Sequence, residues 1–127
     1  MKVSDLVREL GLRVYSGEKG LEKEITGGYA SDLLSDVMGN AGDGMVWITL
    51  QTHRNIMAIA SLKELAAVVL VRGLKPDADT VASSDAENIP VLGTQERAFE
   101  LAGKLYALLN DKLGENEPAS HNNEKGN

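Results

Sequence analysis

Apolar runs and amphipathic segments alternate along this chain. Residues 45–50 and 66–71 are nearly continuous apolar runs, which is the pattern of strands covered on both faces. Residues 55–65 and 96–109 repeat apolar side chains at helical spacing. Shorter segments continue the alternation, with helices predicted at 4–10, 32–38 and 79–88 and strands at 13–15, 24–29 and 89–92. This order predicts an α/β fold with three layers, in which a mostly parallel sheet of about four to five strands carries helices on both faces.

The length of the chain, 127 residues, suits a single domain with one core. The periodic segments fall within residues 1–109, which we expect to form this α/β domain. Residues 114–127 have almost no apolar side chains, so we expect residues 110–127 to be a disordered polar tail. His121 lies in this tail beside Ser120 and Asn122, which indicates a solvated residue and not a metal ligand.

Charge and composition exclude several classes of function. The net charge is -6 and aromatic residues make up 4% of the chain, so neither a basic stripe nor a stacking platform for nucleic acid is expected. The absence of cysteine excludes thiolate catalysis, disulfides and cysteine-ligated metal. No apolar run reaches the length of a signal-peptide core or a membrane span, so we expect a cytoplasmic protein without a membrane partner. We assign no cofactor and no metal site.

The candidate site is the edge of the sheet at which the parallel strands end. Ligands of open parallel sheets bind beyond the carboxyl ends of the strands, where loops lead into helix N-termini. Four loops of this chain have that position, and they are rich in glycine, hydroxyl and basic side chains. The residues that we predict to bind a ligand there are Gly27, Gly28, Ser31, Asp32, Thr52, His53, Arg54, Asn55, Arg72, Gly73 and Thr94.

Each of these residues also has a structural explanation. Asp32, Thr52 and Thr94 occupy positions typical of helix N-caps, and Gly73 is common loop punctuation. The ligand hypothesis depends on their convergence. Exposed helix N-termini offer free N–H groups, and Arg54 and Arg72 add positive charge, which together favour an anion or a nucleotide phosphate.

Enzyme motifs are absent from the sequence. It has no P-loop pattern GxxxxGK[ST] and no GxGxxG. A triad of Ser31 or Ser35 with His53 and Asp32 lacks the GxSxG elbow that would support it. Asp32 and Asp36 are four residues apart, and a carboxylate pair at this spacing is far more often a solvated helix face than an acid–base dyad. We therefore assign no catalytic residue.

Four segments in order, GGYASDLLSDVM, VWITLQTHRNIMAIASL, AAVVLVRGLKPD and IPVLGTQERAFELAGKL, resemble the DRTGG domain family over about residues 1–109. The resemblance is to its short stand-alone members, often labelled HPr serine kinase-like and found among hydrogenase-associated genes. It extends more distantly to the N-terminal, non-catalytic domain of HPr kinase/phosphorylase. The family's Asp-Arg pair corresponds to His53–Arg54, where the arginine matches. Its Thr-Gly-Gly corresponds to residues 71–73, where the last glycine matches.

The resemblance implies a regulatory role, because DRTGG domains accompany CBS domains and acyltransferase or amidotransferase modules. It also implies an adenine nucleotide or another anionic small molecule as the ligand and a hydrogenase-associated or other protein as a partner. Our leading hypothesis is thus a non-enzymatic regulatory module that binds such a ligand at the carboxyl edge of the sheet. The alternative is an assembly module that acts as a homodimer, through Trp47 or the last helix, without a small-molecule ligand.

Overall fold

The computed structural model describes residues 1–115 of the chain, with side chains to residue 111. It contains five helices and five strands in addition to a short 3-10 helix at Glu18–Gly20. The helices are α1 (Val3–Leu10), α2 (Leu34–Asn40), α3 (Asn55–Leu62), α4 (Ala78–Glu87) and α5 (Ala98–Glu115). The strands are β1 (Arg13–Ser16), β2 (Gly27–Ala30), β3 (Met45–Thr49), β4 (Ala67–Leu70) and β5 (Val91–Gly93).

The five strands form one sheet in the order β1-β5-β4-β3-β2. Strands β2 to β5 are parallel to one another and follow the order of the sequence, whereas β1 is antiparallel to β5. The predicted mostly parallel sheet is confirmed. The carboxyl ends of β2 to β5 lie at one edge of the sheet, and the amino end of β1 lies there too because β1 runs in the opposite direction.

Two apolar cores cover the two faces of the sheet, because the central strands carry apolar side chains at every position except Thr49, the last residue of β3. One face packs against α1 and α5, with Leu6, Leu101 and Leu105 in the core. The other packs against α2 and α3 through Val37 and Ile56, and α4 lies beside α3 and β1. The predicted arrangement of three layers with helices on both faces is therefore confirmed.

Several predicted boundaries differ from the structure. Helix α1 begins at Val3 and not after Ser4, because the Asp5 carboxylate accepts a hydrogen bond of 2.9 Å from the Lys2 amide and so caps the helix two residues earlier. Strand β2 begins at Gly27, since Glu24 instead forms an isolated antiparallel bridge with Lys2.

Helix α5 begins at Ala98 and continues to Glu115, into the segment 110–127 that we predict to be a tail. Residues 116–127, including His121, lie outside the described residues. Within residues 1–115, no helix has both the length and the apolar character needed to cross a membrane.

Two aromatic residues differ from the predictions. The side chain of Trp47 is completely buried and its indole N–H donates a 2.8 Å hydrogen bond to the Ser31 carbonyl. The prediction of a dimer surface at Trp47 is therefore wrong, because this side chain is part of the core. Phe99, which helical spacing places on the apolar face of the last helix, is 85% exposed.

Candidate ligand site at the carboxyl edge of the sheet

The four predicted loops do lie along one edge, but they do not meet in one pocket. Neighbouring strands are about 4.8 Å apart, so the loops after β2 and β5 are separated by roughly 14 Å. The order β2-β3-β4-β5 also contains no reversal, and a reversal is what opens a binding crevice in doubly wound sheets. The predicted residues fall into three separate groups.

The two glycines of the first group lie inside strand β2 and not in the loop after it. A side chain at Gly28 would place its Cβ 2.9 Å from the Cδ2 atom of Leu105 in α5. The absence of a side chain at Gly28 therefore lets α5 pack closely on β2. Contact between a ligand and Gly27 or Gly28 stays a prediction.

The other members of the first group connect β2 to β3. The Asp32 carboxylate accepts hydrogen bonds from the Thr49 hydroxyl at 2.8 Å and from the Leu50 amide at 2.7 Å. The Ser31 hydroxyl accepts a bond of 3.2 Å from the Leu33 amide. A small cavity of about 160 Å³ lies here, and Asp32 contributes its negative charge to the lining. This charge opposes the binding of a phosphate.

The second group surrounds the start of α3. The Thr52 carbonyl accepts hydrogen bonds from the Asp77 amide at 3.1 Å and the Thr80 hydroxyl at 2.8 Å, which connects this loop to α4. Arg54 and Asn55 are exposed and line a shallow cavity between α3 and α4 that also contains Glu87.

His53 belongs to the same group. Its Nδ1 atom is buried and has no hydrogen-bond partner among the described residues. Three or more His, Asp or Glu side chains in a metal-binding arrangement do not occur in the part of the chain that the structure describes.

None of the three predicted N-caps has that role. Leu33 precedes α2 and Arg54 precedes α3, without a capping side-chain bond in either case. The Thr94 hydroxyl accepts a 3.2 Å hydrogen bond from the Glu96 amide, before α5 begins at Ala98. The polar residues of these loops hold neighbouring loop segments together.

The third group is the most compact. The loops after β4 and β5 are joined by hydrogen bonds of 2.8 Å from the Arg72 amide to the Glu96 carbonyl and from the Gly73 amide to the Thr94 carbonyl. Arg72 and Gly73 have left-handed backbone conformations, with φ of 60° and 73°. The left-handed φ of Gly73 favours glycine, and the flexible end of the Gln95 side chain lies against it, since a Cβ at Gly73 would be 2.7 Å from the Gln95 side-chain oxygen.

Beside this third group, strand β1 completes a polar pocket. Arg13 pairs with Gly93 in the antiparallel ladder, so the start of β1 lies at the end of β5. A cavity of about 300 Å³ there is lined by residues that include Arg13, Tyr15, Lys75, Gly93, Thr94 and Gln95. We call it the β1–β5 pocket.

Two hydrogen bonds to α4 hold β1 in place. The buried Ser16 hydroxyl donates a bond of 2.8 Å to the Ser84 hydroxyl, which in turn donates one of 2.6 Å to the Ile89 carbonyl. The Gly17 amide donates to the Asp85 carboxylate at 2.7 Å. These contacts fix the strand that carries the aromatic and basic side chains of the β1–β5 pocket.

The β1–β5 pocket combines an aromatic ring with positive charge. The ring of Tyr15 lies so close over Gly93 that a Cβ there would be 2.4 Å from the Tyr15 Cε2 atom. The Arg13 guanidinium lies 5.2 Å from the centre of the same ring. Neither Arg13 nor Lys75 forms an ion pair with another described residue, since the ion pairs of that part of the chain involve other cations. Unpaired cations next to an aromatic face suit an anion that carries a planar ring.

The sequence alone did not identify the contributions of Arg13, Tyr15, Lys75 and Gln95 to this pocket. Lys75 and Gln95 occur in the predicted loops, and their side-chain types fit an anion site. Arg13 and Tyr15 join them only because β1 pairs with β5, and no local pattern reveals that pairing.

The comparison with protein-family models gave no match, and neither did the comparison with curated proteins. Among solved structures, the chain is similar to the CBS and DRTGG domains of the regulatory region of Clostridium perfringens pyrophosphatase, solved with the activator diadenosine tetraphosphate. The TM-score is 0.65 and the sequence identity is 14%, over 82% of this chain and 45% of that chain. This chain thus spans less than half the length of the other. The likeness shows a DRTGG-related fold, as the sequence resemblance implied.

Proposed function

We propose that this chain is a non-enzymatic regulatory module that binds a nucleotide or another anionic metabolite in the β1–β5 pocket. The observation that carries the proposal is the presence of two cations, Arg13 and Lys75, that have no acidic partner among the described residues. The residues that line this cavity include two basic side chains and no acidic one, in a chain whose net charge is -6. Their positive charge favours a bound anion.

The similar regulatory region supports an adenine nucleotide as the class of ligand. That region was solved with diadenosine tetraphosphate, an activator that combines planar bases with a chain of phosphates. In the β1–β5 pocket a base would pack beside the ring of Tyr15, while Arg13 and Lys75 would hold phosphate oxygens. The Thr94 hydroxyl and the Gln95 amide would add hydrogen bonds.

In this proposal, the third group of predicted residues lies next to the bound ligand. Arg72, Gly73 and Thr94 belong to the loops beside the β1–β5 pocket. Binding by the other predicted residues stays a prediction. Of these, Asp32 favours a cation or a hydrogen-bond donor over a phosphate because of its negative charge.

Isothermal titration calorimetry of the full chain tests the proposal. ATP, ADP, diadenosine tetraphosphate and inorganic phosphate are titrated at constant ionic strength. We expect binding of at least one nucleotide, and we expect R13A and K75A each to weaken it about tenfold or more, since each removes a charged hydrogen-bond donor.

K19A is the matched control. Lys19 is exposed like Lys75 but follows β1, at the opposite edge of the sheet, so its replacement should change the affinity less than twofold. Equal losses in all three variants would indicate a general charge effect and would contradict a site at the pocket. No heat with any ligand at about 1 mM would contradict nucleotide binding altogether.

A further inference from the structure

The outer edge of β2 has no strand beside it within residues 1–115. In this part of the chain, β2 is the last strand of the sheet and pairs only with β3. The Ser31 amide donates to the Ile48 carbonyl, and the N–H and C=O groups of a strand alternate in direction. The backbone groups of Gly28 and Ala30 therefore point away from β3, and both residues are exposed. Such an edge can accept another strand.

Beside this edge lies an apolar groove of about 760 Å³ between β2 and α5. Phe99, Ala102, Gly103 and Tyr106 of α5 line the groove. At 3.6 residues per turn they fall within an arc of about 100° on the helix. Phe99 and Tyr106 are 85% and 70% exposed. Large aromatic side chains grouped in this way typically mark an interaction surface.

Helix α5 runs antiparallel to β2 along the groove. Its first residue, Ala98, lines the small cavity with Ser31 just beyond the carboxyl end of β2. Leu105, two turns later, contacts Gly28 near the amino end of the strand. Positions along α5 can therefore be compared with positions along β2.

The edge of β2 and the α5 stripe (Phe99, Ala102, Gly103 and Tyr106) can each pair with the same surface of a second copy through a two-fold axis. A two-fold axis at Tyr29 would place Gly28 opposite Ala30 of a second copy, and the outward-facing groups of these residues would then pair in an antiparallel ladder. A two-fold axis midway between Ala102 and Gly103 would place Phe99 opposite Tyr106 of a second copy.

The two axis positions coincide in height. Leu105 is about 4 Å along the helix from the midpoint between Ala102 and Gly103. Gly28, which it contacts, is about 3.3 Å along the strand from Tyr29. A single two-fold axis can therefore pair the two β2 strands and the two α5 helices at once.

We propose that this surface binds a second copy of the chain, forming a two-fold dimer in which two β2 strands join the sheets and two α5 helices pack over the junction. The charge of the groove fits this occupant: Phe99, Ala102, Gly103 and Tyr106 are uncharged, and the two charged residues that also line it, Glu100 and Lys104, have opposite signs, so two chains of net charge -6 can meet there without net local repulsion. The sequence of residues 116–127 offers little apolar surface for such a groove, since apart from one alanine these residues are polar, charged, glycine or proline.

Light scattering coupled to size exclusion tests the dimer on the full chain. The wild-type chain should elute as a dimer, and F99D should elute as a monomer, because a carboxylate would be buried opposite Tyr106 of the second copy. L62D is the matched control: Leu62 is 68% exposed and lies on α3, against the opposite face of the sheet, so this variant should stay dimeric. A wild-type monomer at about 1 mM, or a dimeric F99D, would overturn the proposal.

A30P tests the junction between the strands. Proline removes the outward-facing N–H of Ala30 and is tolerated on edge strands, so A30P should keep the circular dichroism of the wild type and become monomeric. A folded A30P that remains dimeric would overturn the pairing of the β2 strands.

The β1–β5 pocket is at the other end of the sheet, so nucleotide affinity of F99D should equal that of the wild type. The dimer and the ligand site can thus fail independently.

Discussion

The Asp32 carboxylate accepts a 2.8 Å hydrogen bond from the Thr49 hydroxyl across the ends of β2 and β3. The same carboxylate oxygen accepts a 2.7 Å bond from the Leu50 amide, and the Asp32 carbonyl accepts one of 2.9 Å from the Gln51 side chain. The acidic residue after the first parallel strand thus joins two strand ends. It lies near the proposed edge of the dimer and far from the β1–β5 pocket.

We expect D32A to reduce the free energy of unfolding by about 1–3 kcal/mol, because the Thr49 hydroxyl and the Leu50 amide lose a charged acceptor. Urea denaturation followed by circular dichroism measures this change. D111A is the control, since Asp111 is exposed on α5, and its effect should stay within about 0.5 kcal/mol. Nucleotide affinity should not change in D32A; a large loss of affinity would return Asp32 to the ligand site.

The hydrogen bond between Tyr29 and Asp36 should be visible in their titration. The Tyr29 hydroxyl donates to the Asp36 carboxylate at 2.8 Å. This bond is the main cause that lowers the pKa of Asp36, with a further contribution from the Ser31 hydroxyl, and it raises the pKa of Tyr29. The contribution of Asp36 to stability is therefore present above its unfolded pKa of about 3.9, and it is lost as pH falls through the lower folded value.

The contribution of the Tyr29 hydroxyl to stability depends on pH in the opposite direction. It is present below the unfolded pKa of about 10 and is lost as pH rises through the raised folded value. Carboxyl-carbon NMR titration should show the midpoint of Asp36 below that of an ordinary aspartate and moving upward in Y29F. The pKa of Asp5 is lowered by the Lys2 amide and by Arg8, so it should not move in this variant. An unchanged Asp36 midpoint in Y29F would exclude the hydrogen bond as the cause.

G93A should damage the β1–β5 pocket selectively. The added Cβ would lie 2.4 Å from the Tyr15 Cε2 atom, so the ring must move away from its position over the strand. We expect a loss of about 1–3 kcal/mol in stability and a larger loss of affinity for a nucleotide than for inorganic phosphate. Thermal unfolding and calorimetry measure the two effects.

The control for this substitution is G39A. No atom lies within 4 Å of the Cβ position at Gly39, which is in α2, so alanine should raise stability by about 0.5–1 kcal/mol there. Retention of full nucleotide affinity by G93A would show that Tyr15 does not contact the base.

The parallel part of the fold could be predicted because each strand is followed by its own helix within a short stretch of sequence. The apolar runs that contain Val46 and Val69 indicate burial on both faces without knowledge of any partner. Strand β1 was predicted as a strand, but its pairing of Arg13 with Gly93 joins residues far apart in the sequence. No local periodicity carries that information.

The candidate site likewise has a part that local sequence patterns predict and a part that depends on contacts between distant residues. The edge of the sheet and its polar loops could be predicted, since they depend on strand direction alone. The β1–β5 pocket could not, because it needs Tyr15 from β1. The glycine pair beginning at Gly27 resembles a ligand-binding loop in the sequence. In the structure, Gly28 makes room for Leu105, a contact between residues far apart in the chain that the local sequence does not reveal.

The most direct test of the ligand proposal is an NMR titration of the ¹⁵N-labelled chain with diadenosine tetraphosphate, followed through the backbone amides. We expect the largest shift changes at Tyr15, Gly93 and Thr94, with small changes at Lys19 beyond the opposite edge of the sheet. Shift changes confined to residues 31–33 or to the start of α3, or no change at about 1 mM ligand, would contradict binding in the β1–β5 pocket.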